Sequence, residues 1–192
     1  MGKERLAAFS DGVVAIIITI MVLELRVPHG TSLADLAPVF PVFLSYVLSF
    51  VYVGIYWNNH HHMLQLARTV TGPILWANLH LLFWLSLVPF ASAWMGENQL
   101  SQVPVALYGG VLIMNAMAYT LLMTLLVRHE GPQSALARAM GRDLKGKLSL
   151  ATYLLAIALA FIQPMASVAL YVLVAMIWFI PDRRVERALK DT

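Results

Sequence analysis

Four stretches of this chain hold no Asp, Glu, Lys or Arg: residues 36–67, 69–96, 98–127 and 148–181. A helix needs about 20 mostly apolar residues to cross a hydrocarbon core about 30 Å thick. Each stretch is long enough, and together they fill most of a 192-residue chain. Residues are 60% hydrophobic and 12% charged, against roughly 25% charged in a soluble domain. That leaves too little polar surface to solvate a globule. The same numbers exclude a disordered chain, and the absence of cysteine excludes disulfide scaffolds and zinc ribbons. The net charge of +3 gives no reason to expect nucleic acid as a partner, because the basic residues sit between apolar runs. The partner is the lipid bilayer.

The runs resolve into spans. In the first, the polar residues Asn58, Asn59, His60, His61 and His62 are expected to end a helix over 36–59. The second predicts a helix over 73–95, with Pro89 as a kink. The third predicts one over 104–127, with Pro104 in its first turn. As a single helix, the fourth run would reach about 51 Å at 1.5 Å per residue, too long for one crossing. Proline disfavours helical geometry in the residue before it, so Gln163-Pro164 predicts two spans, 147–162 and 165–180. The segment 7–27 carries Asp11, Glu24 and Arg26 around an uncharged centre, 12–23, only about 18 Å long. Such a helix suits the interior of a bundle wetted at both ends. The expected fold is all-α: one domain over residues 1–192, with six transmembrane helices.

Charge placement orients the bundle. With a cytoplasmic N-terminus and six spans, the inner segments contain Lys3, Arg5, Arg68, Arg128, Arg138, Arg142, Lys145, Lys147, Arg183, Arg184, Arg187 and Lys190. Arg26 alone falls outside. A bias of this kind sets orientation, so both termini are expected in the cytoplasm. Lys3 and Arg5 before an apolar stretch imitate a signal peptide. Asp11, the Glu24-Leu25-Arg26 end and the lack of a small-residue cleavage site argue against one. Trp57, Trp76, Trp94 and Trp178 fall near predicted helix ends, where interfacial indoles belong.

A carboxylate inside a membrane segment costs about 2.5 kcal/mol or more unless it is paired or wetted, which makes Asp11 the most informative residue. Asp11 and Ser10 can be read as a helix cap at headgroup level. The alternative is a polar cluster, since Ser10, Asp11, Trp57, His60 and Asn78 all fall at one depth near the cytoplasmic face. Three consecutive histidines cannot chelate one ion from a regular helix, because neighbours point about 100° apart. No fixed metal site or cofactor is expected. Ile16, Ile20, Leu23 and Val27 form one helical stripe with Thr19 beside it, a pattern that ordinarily means packing. There is no acidic ring, carbonyl-filter loop, zinc-protease helix, nucleophile elbow or P-loop, and no enzyme is expected.

The segment Arg5-x-x-x-Phe9-Ser10-Asp11-Gly12-Val13-Val14-Ala15-Ile16-Ile17-Ile18-Thr19 resembles the signature of the lysosomal potassium channel family, in its prokaryotic single-repeat branch. Tyr56-Trp57-Asn58-Asn59-His60-His61, Asn78-Leu79 and Pro89-Phe90 extend the likeness over residues 5–98. The resemblance implies a homotetramer in which four first helices line a central potassium path. It places the constriction on Ile16, a polar pore position on Thr19 and further apolar layers on Ile20 and Leu23, with permeating potassium near Ile16 and Thr19. Arg5, Phe9, Ser10, Asp11, Trp57, His60 and Asn78 become the signature network. The expected setting is the plasma membrane of a bacterium, and the expected function a potassium-selective leak-type channel. A proton-coupled secondary transporter using Asp11 or His60 is the alternative, and an intramembrane acid–base enzyme lacks a second carboxylate at that depth.

Overall fold

The computed structural model describes residues 2–140 and 144–179. Arg142, Arg183, Arg184, Arg187, Lys190 and the expected helix end at residue 180 lie outside them. Eight α-helices appear among the described residues: α1 (Lys3–Leu23), α2 (Phe40–Leu66), α3 (Gly72–Ser86), α4 (Val88–Glu97), α5 (Gln102–Glu130), α6 (Ala135–Met140), α7 (Leu144–Ala160) and α8 (Pro164–Phe179). A 3-10 turn, Leu33–Val39, leads into α2.

The described residues are all-helical with connecting turns, and the helix boundaries differ from the expected ones for local reasons. Helix α1 starts at Lys3 and stops at Leu23, four residues before the expected 27. Pro28 has no N–H for the carbonyl of Glu24, and its ring crowds that carbonyl. Helix α2 runs through Asn58–His62 to Leu66, seven residues beyond the expected end. Polar side chains mark where the apolar environment stops, and they do not stop a helix. Asn59 donates to the carbonyl of Ile55 at 2.8 Å, and Gln65 bonds His61 at 2.8 Å one turn away. The end of α2 is closed by Lys3, whose Nζ donates to the carbonyls of Gln65 (3.2 Å) and Ala67 (2.8 Å). A cation belongs there, at the negative end of the helix dipole.

The expected kink at Pro89 is a break at Leu87 between α3 and α4. Asn115 Nδ2 on α5 reaches the carbonyl of Trp84 (3.4 Å) beside this break, and also donates to the carbonyl of Val111 at 2.9 Å. Helices α7 and α8 divide at Gln163-Pro164, with Pro164 as the first residue of α8, where a missing N–H costs nothing.

Helix α1 packs on α2, α3 and α4, while α5 lies between α3 on one side and α7 on the other, with α8 against α7. Two glycines make close approaches possible. A Cβ on Gly96 would stand 2.6 Å from the Val42 backbone, and one on Gly109 would meet the ring and hydroxyl of Tyr171. That hydroxyl donates to the carbonyl of Val105 at 3.1 Å.

Hydrogen bonds identify the two ends of the bundle. Lys3 on the α2 terminus, and Glu130 accepting from the backbone N–H of Arg68 at 2.7 Å, gather the start of α1, the α2–α3 turn and the end of α5. At the other end Arg26 pairs with Glu97 at 2.7 Å, and Gln102 donates to the carbonyl of Phe161 at 3.0 Å. Of the described Lys and Arg residues, Lys3, Arg5, Arg68, Arg128, Arg138, Lys145 and Lys147 belong to the first end and Arg26 to the second. Among the described residues, four helical segments, Lys3–Leu23, Leu33–Leu66, Gly72–Glu97 and Gln102–Glu130, are long and apolar enough to cross a membrane.

Candidate functional site

Helix α1 has two faces of opposite character. Leu6, Ser10, Val14, Ile17 and Met21 are buried against the bundle. Arg5, Phe9, Gly12, Ile16, Thr19, Ile20 and Leu23 are exposed, at spacings that stack them along one side of a 3.6-residue helix. Ile16 is 58% exposed, Ile20 43% and Leu23 77%. The Thr19 hydroxyl donates to the carbonyl of Ile16 at 2.9 Å, so its proton is committed within the helix while its oxygen can still accept. Arg5 makes no hydrogen bond or ion pair with any described residue, and it continues the stripe at its basic end. Beside the stripe, Ile16 and Ile20 share a groove of about 560 Å³ with Phe90 and Trp94 of α4, with Glu24 and Glu97 also in its lining.

The buried face of α1 is held by a chain of neutral polar groups. Ser10 donates to the carbonyl of Leu6 at 2.8 Å and accepts from Asn78 Nδ2 at 3.0 Å. Asn78 Oδ1 in turn lies 2.7 Å from His60 Nε2. With the amide oxygen as acceptor, the His60 tautomer that completes the chain carries its proton on Nε2. All three side chains are at least nine-tenths buried, so each bond replaces water that cannot enter. One residue on, Asp11 Oδ1 accepts the indole N–H of Trp57 at 2.9 Å, and the Trp57 ring stacks on His61.

The structure thus joins Ser10, Asn78 and His60 in one chain and Asp11 and Trp57 in a separate pair. Because α1 starts at Lys3, with Gly2 as its N-cap, Ser10 and Asp11 lie two turns inside the helix and do not cap it. Phe9, 49% exposed, and Arg5 stand on the outer face, apart from the network they were grouped with. Trp57, read from sequence as an interfacial residue, has its N–H bound to the carboxylate. Among the described residues no group of three His, Asp or Glu is placed to hold a metal ion; His60 and His61 turn to different partners. Sequence reasoning missed Lys3 and Glu130 as clasps of the α2–α3 turn, since their acceptors and donors there are backbone groups of residues more than 60 positions away.

Apolar helices, charges gathered at the two bundle ends and an uncovered apolar stripe on a polar-braced helix define a multi-pass α-helical membrane protein. Residues 5–89 match the family model described as endosomal/lysosomal potassium channel TMEM175. A potassium channel of Chryseobacterium sp. (strain P1-3) is 56% identical over 191 residues, covering all of both chains. The chain belongs to the TMEM175 channel family. The crystal structure of a lysosomal potassium-selective channel TMEM175 homolog from Chamaesiphon minutus superposes with a TM-score of 0.80 at 28% identity, over 93% of this chain and 96% of that one. The endosomal/lysosomal proton channel TMEM175 of Bos taurus is 37% identical over 86 residues, which are 38% of this chain and 18% of the bovine one. The protein is accordingly an ion channel rather than an enzyme.

Proposed function

We propose that the chain is a potassium-selective leak-type channel of a bacterial plasma membrane, assembled as a homotetramer around four copies of α1. The observation that carries this reading is the outward apolar stripe of α1. A membrane helix uncovered on one face meets lipid or another protein surface, and this face combines isoleucines with a threonine oxygen and an unpaired arginine. Ile16 forms the constriction, Thr19 the polar position beyond it, and Ile20 and Leu23 further apolar layers. An apolar ring of this kind closes by dewetting, since nothing in it replaces the hydration of an ion. Ser10, Asn78 and His60, with Asp11 and Trp57, fix the rotation of α1 so that the stripe faces the axis.

Six crossings are made by α1, α2, α3 with α4, α5, α7 and α8, the last two short. The basic end faces the cytoplasm and holds both termini. The name of the Chryseobacterium relative, a potassium channel, supports the choice of ion. That of the bovine relative, a proton channel, keeps protons as the competing permeant.

Reconstitution in planar bilayers under a potassium–sodium gradient, then under a pH gradient, tests the reading. Unitary currents whose reversal follows potassium are expected. Reversal that follows pH alone would establish proton conduction, and electrically silent, gradient-coupled uptake would establish the transporter.

A further inference from the structure

We infer that an acidic phospholipid occupies the cavity between α2, α5, α7 and α8, one acyl chain inside it and its headgroup phosphate on Lys147. The cavity has a volume of about 270 Å³, far more than a single water needs. Tyr52, Tyr56, Ala116, Met117, Leu150 and Tyr153 contribute to its largely apolar wall. The space is open along one side, and an apolar opening of this size on a membrane bundle is filled by an apolar occupant.

The mouth supplies the headgroup chemistry. Lys147 lines the cavity and makes no hydrogen bond or ion pair with any described residue. Trp178, also in the wall, donates to Ser149 at 2.8 Å and carries the Lys145 ammonium 6.0 Å above its ring. Among the described residues no acidic side chain lines the space, and it opens at the basic end of the bundle. Basic pockets between membrane helices at that level suit anionic headgroups. A second copy of the chain is a poor occupant: α1 contributes nothing to the wall, and α7 and α8 lie on the far side of the bundle from it. The inference goes beyond the proposed conduction path and rests on that reading only in excluding a second copy of the chain.

The test is native mass spectrometry of the full-length protein released from detergent, with dioleoyl phosphatidylglycerol and dioleoyl phosphatidylcholine as probes. Phosphatidylglycerol should be retained with about fivefold preference, the contribution of one interfacial lysine. Lys147→Gln should abolish the preference, and Ala116→Phe should abolish retention of both. Inorganic phosphate alone should not compete. A phosphatidylglycerol carrying a diazirine on its acyl chain should label residues 116–123 and 149–153 in the unsubstituted protein, a readout that needs no variant to fold. Equal retention of both lipids, a preference unchanged by Lys147→Gln, competition by inorganic phosphate or labelling confined to other segments would each overturn the assignment.

Discussion

Ile16 and Ile17 are adjacent in α1 and differ in exposure from 58% to 3%. One projects out of the bundle and the other into it. The same substitution at the two positions therefore poses two different questions to the protein.

Ile16→Asn is expected to leave folding within about 0.5 kcal/mol of the parent, as at other exposed positions. It should raise open probability or conductance and weaken potassium-over-sodium selectivity, because an amide can wet the proposed constriction. Ile17→Asn buries an unpaired amide and is expected to cost about 1–3 kcal/mol with no gain of current. Bilayer recordings and thermal unfolding of both variants check this. Equal leak in both, or in neither, would remove Ile16 from the pore.

Asp11 and Trp57 can be separated by a double-mutant cycle. A hydrogen bond to a charged group is worth about 1.5–3 kcal/mol, and Asp11 is only partly buried, so Asp11→Ala should fall in that range. Trp57→Phe removes the N–H and should lose a similar amount, with the double variant little worse than either single one. Asp11→Asn retains an acceptor and should keep most of the stability. Strict additivity in denaturation would show that the contact seen at 2.9 Å contributes nothing.

Asn78→Leu removes both hydrogen bonds of a buried chain at once, the one to Ser10 and the one from His60. It leaves the His60 N–H without its acceptor, and such a group costs about 1–3 kcal/mol. The expected result is a larger loss than Ser10→Ala, which leaves only the Asn78 amide N–H wanting. The order of unfolding temperatures, Asn78→Leu below Ser10→Ala below parent, is the measurement. A reversed order would show that Asn78 serves packing rather than hydrogen bonding.

Gly96→Ala forces a Cβ to within 2.6 Å of the Val42 backbone, where no side chain can rotate aside, so α4 must move off α2. Overpacking of this kind typically costs about 1–3 kcal/mol. Gly54→Ala in the middle of α2 meets nothing within 4 Å in the chain. It should be neutral or stabilising by up to about 1 kcal/mol. Thermal unfolding of the pair in detergent separates contact from propensity.

Depth was legible in the sequence and pairing was not. Counting turns from the apolar runs brings Ser10, Asp11, Trp57, His60 and Asn78 to one level, and the structure places them within two hydrogen-bonded groups. Which partner each takes depends on the rotation of α1 about its axis, set by the burial of Leu6, Val14 and Met21. The helical stripe through Ile16, Ile20 and Leu23 was legible as one face, because spacing alone defines it. That it is the uncovered face follows only once α2, α3 and α4 occupy the other. The end of α2 is not legible in local polarity, because Asn58–His62 stay helical and the cation that closes the helix, Lys3, stands more than 60 residues away in the chain.

Apart from Asp11, two turns into α1 and bonded to Trp57, the charged side chains of the described residues gather at the two bundle ends. A membrane potential exerts force only on charge, about 2.3 kcal/mol per elementary charge carried across 100 mV. A single carboxylate per chain inside the described spans, held by Trp57, gives voltage little to pull. Current through this protein should scale with the driving force on the ion at any resting potential, with no steep threshold, and its regulation then falls to whatever touches the ends or the lipid-facing wall.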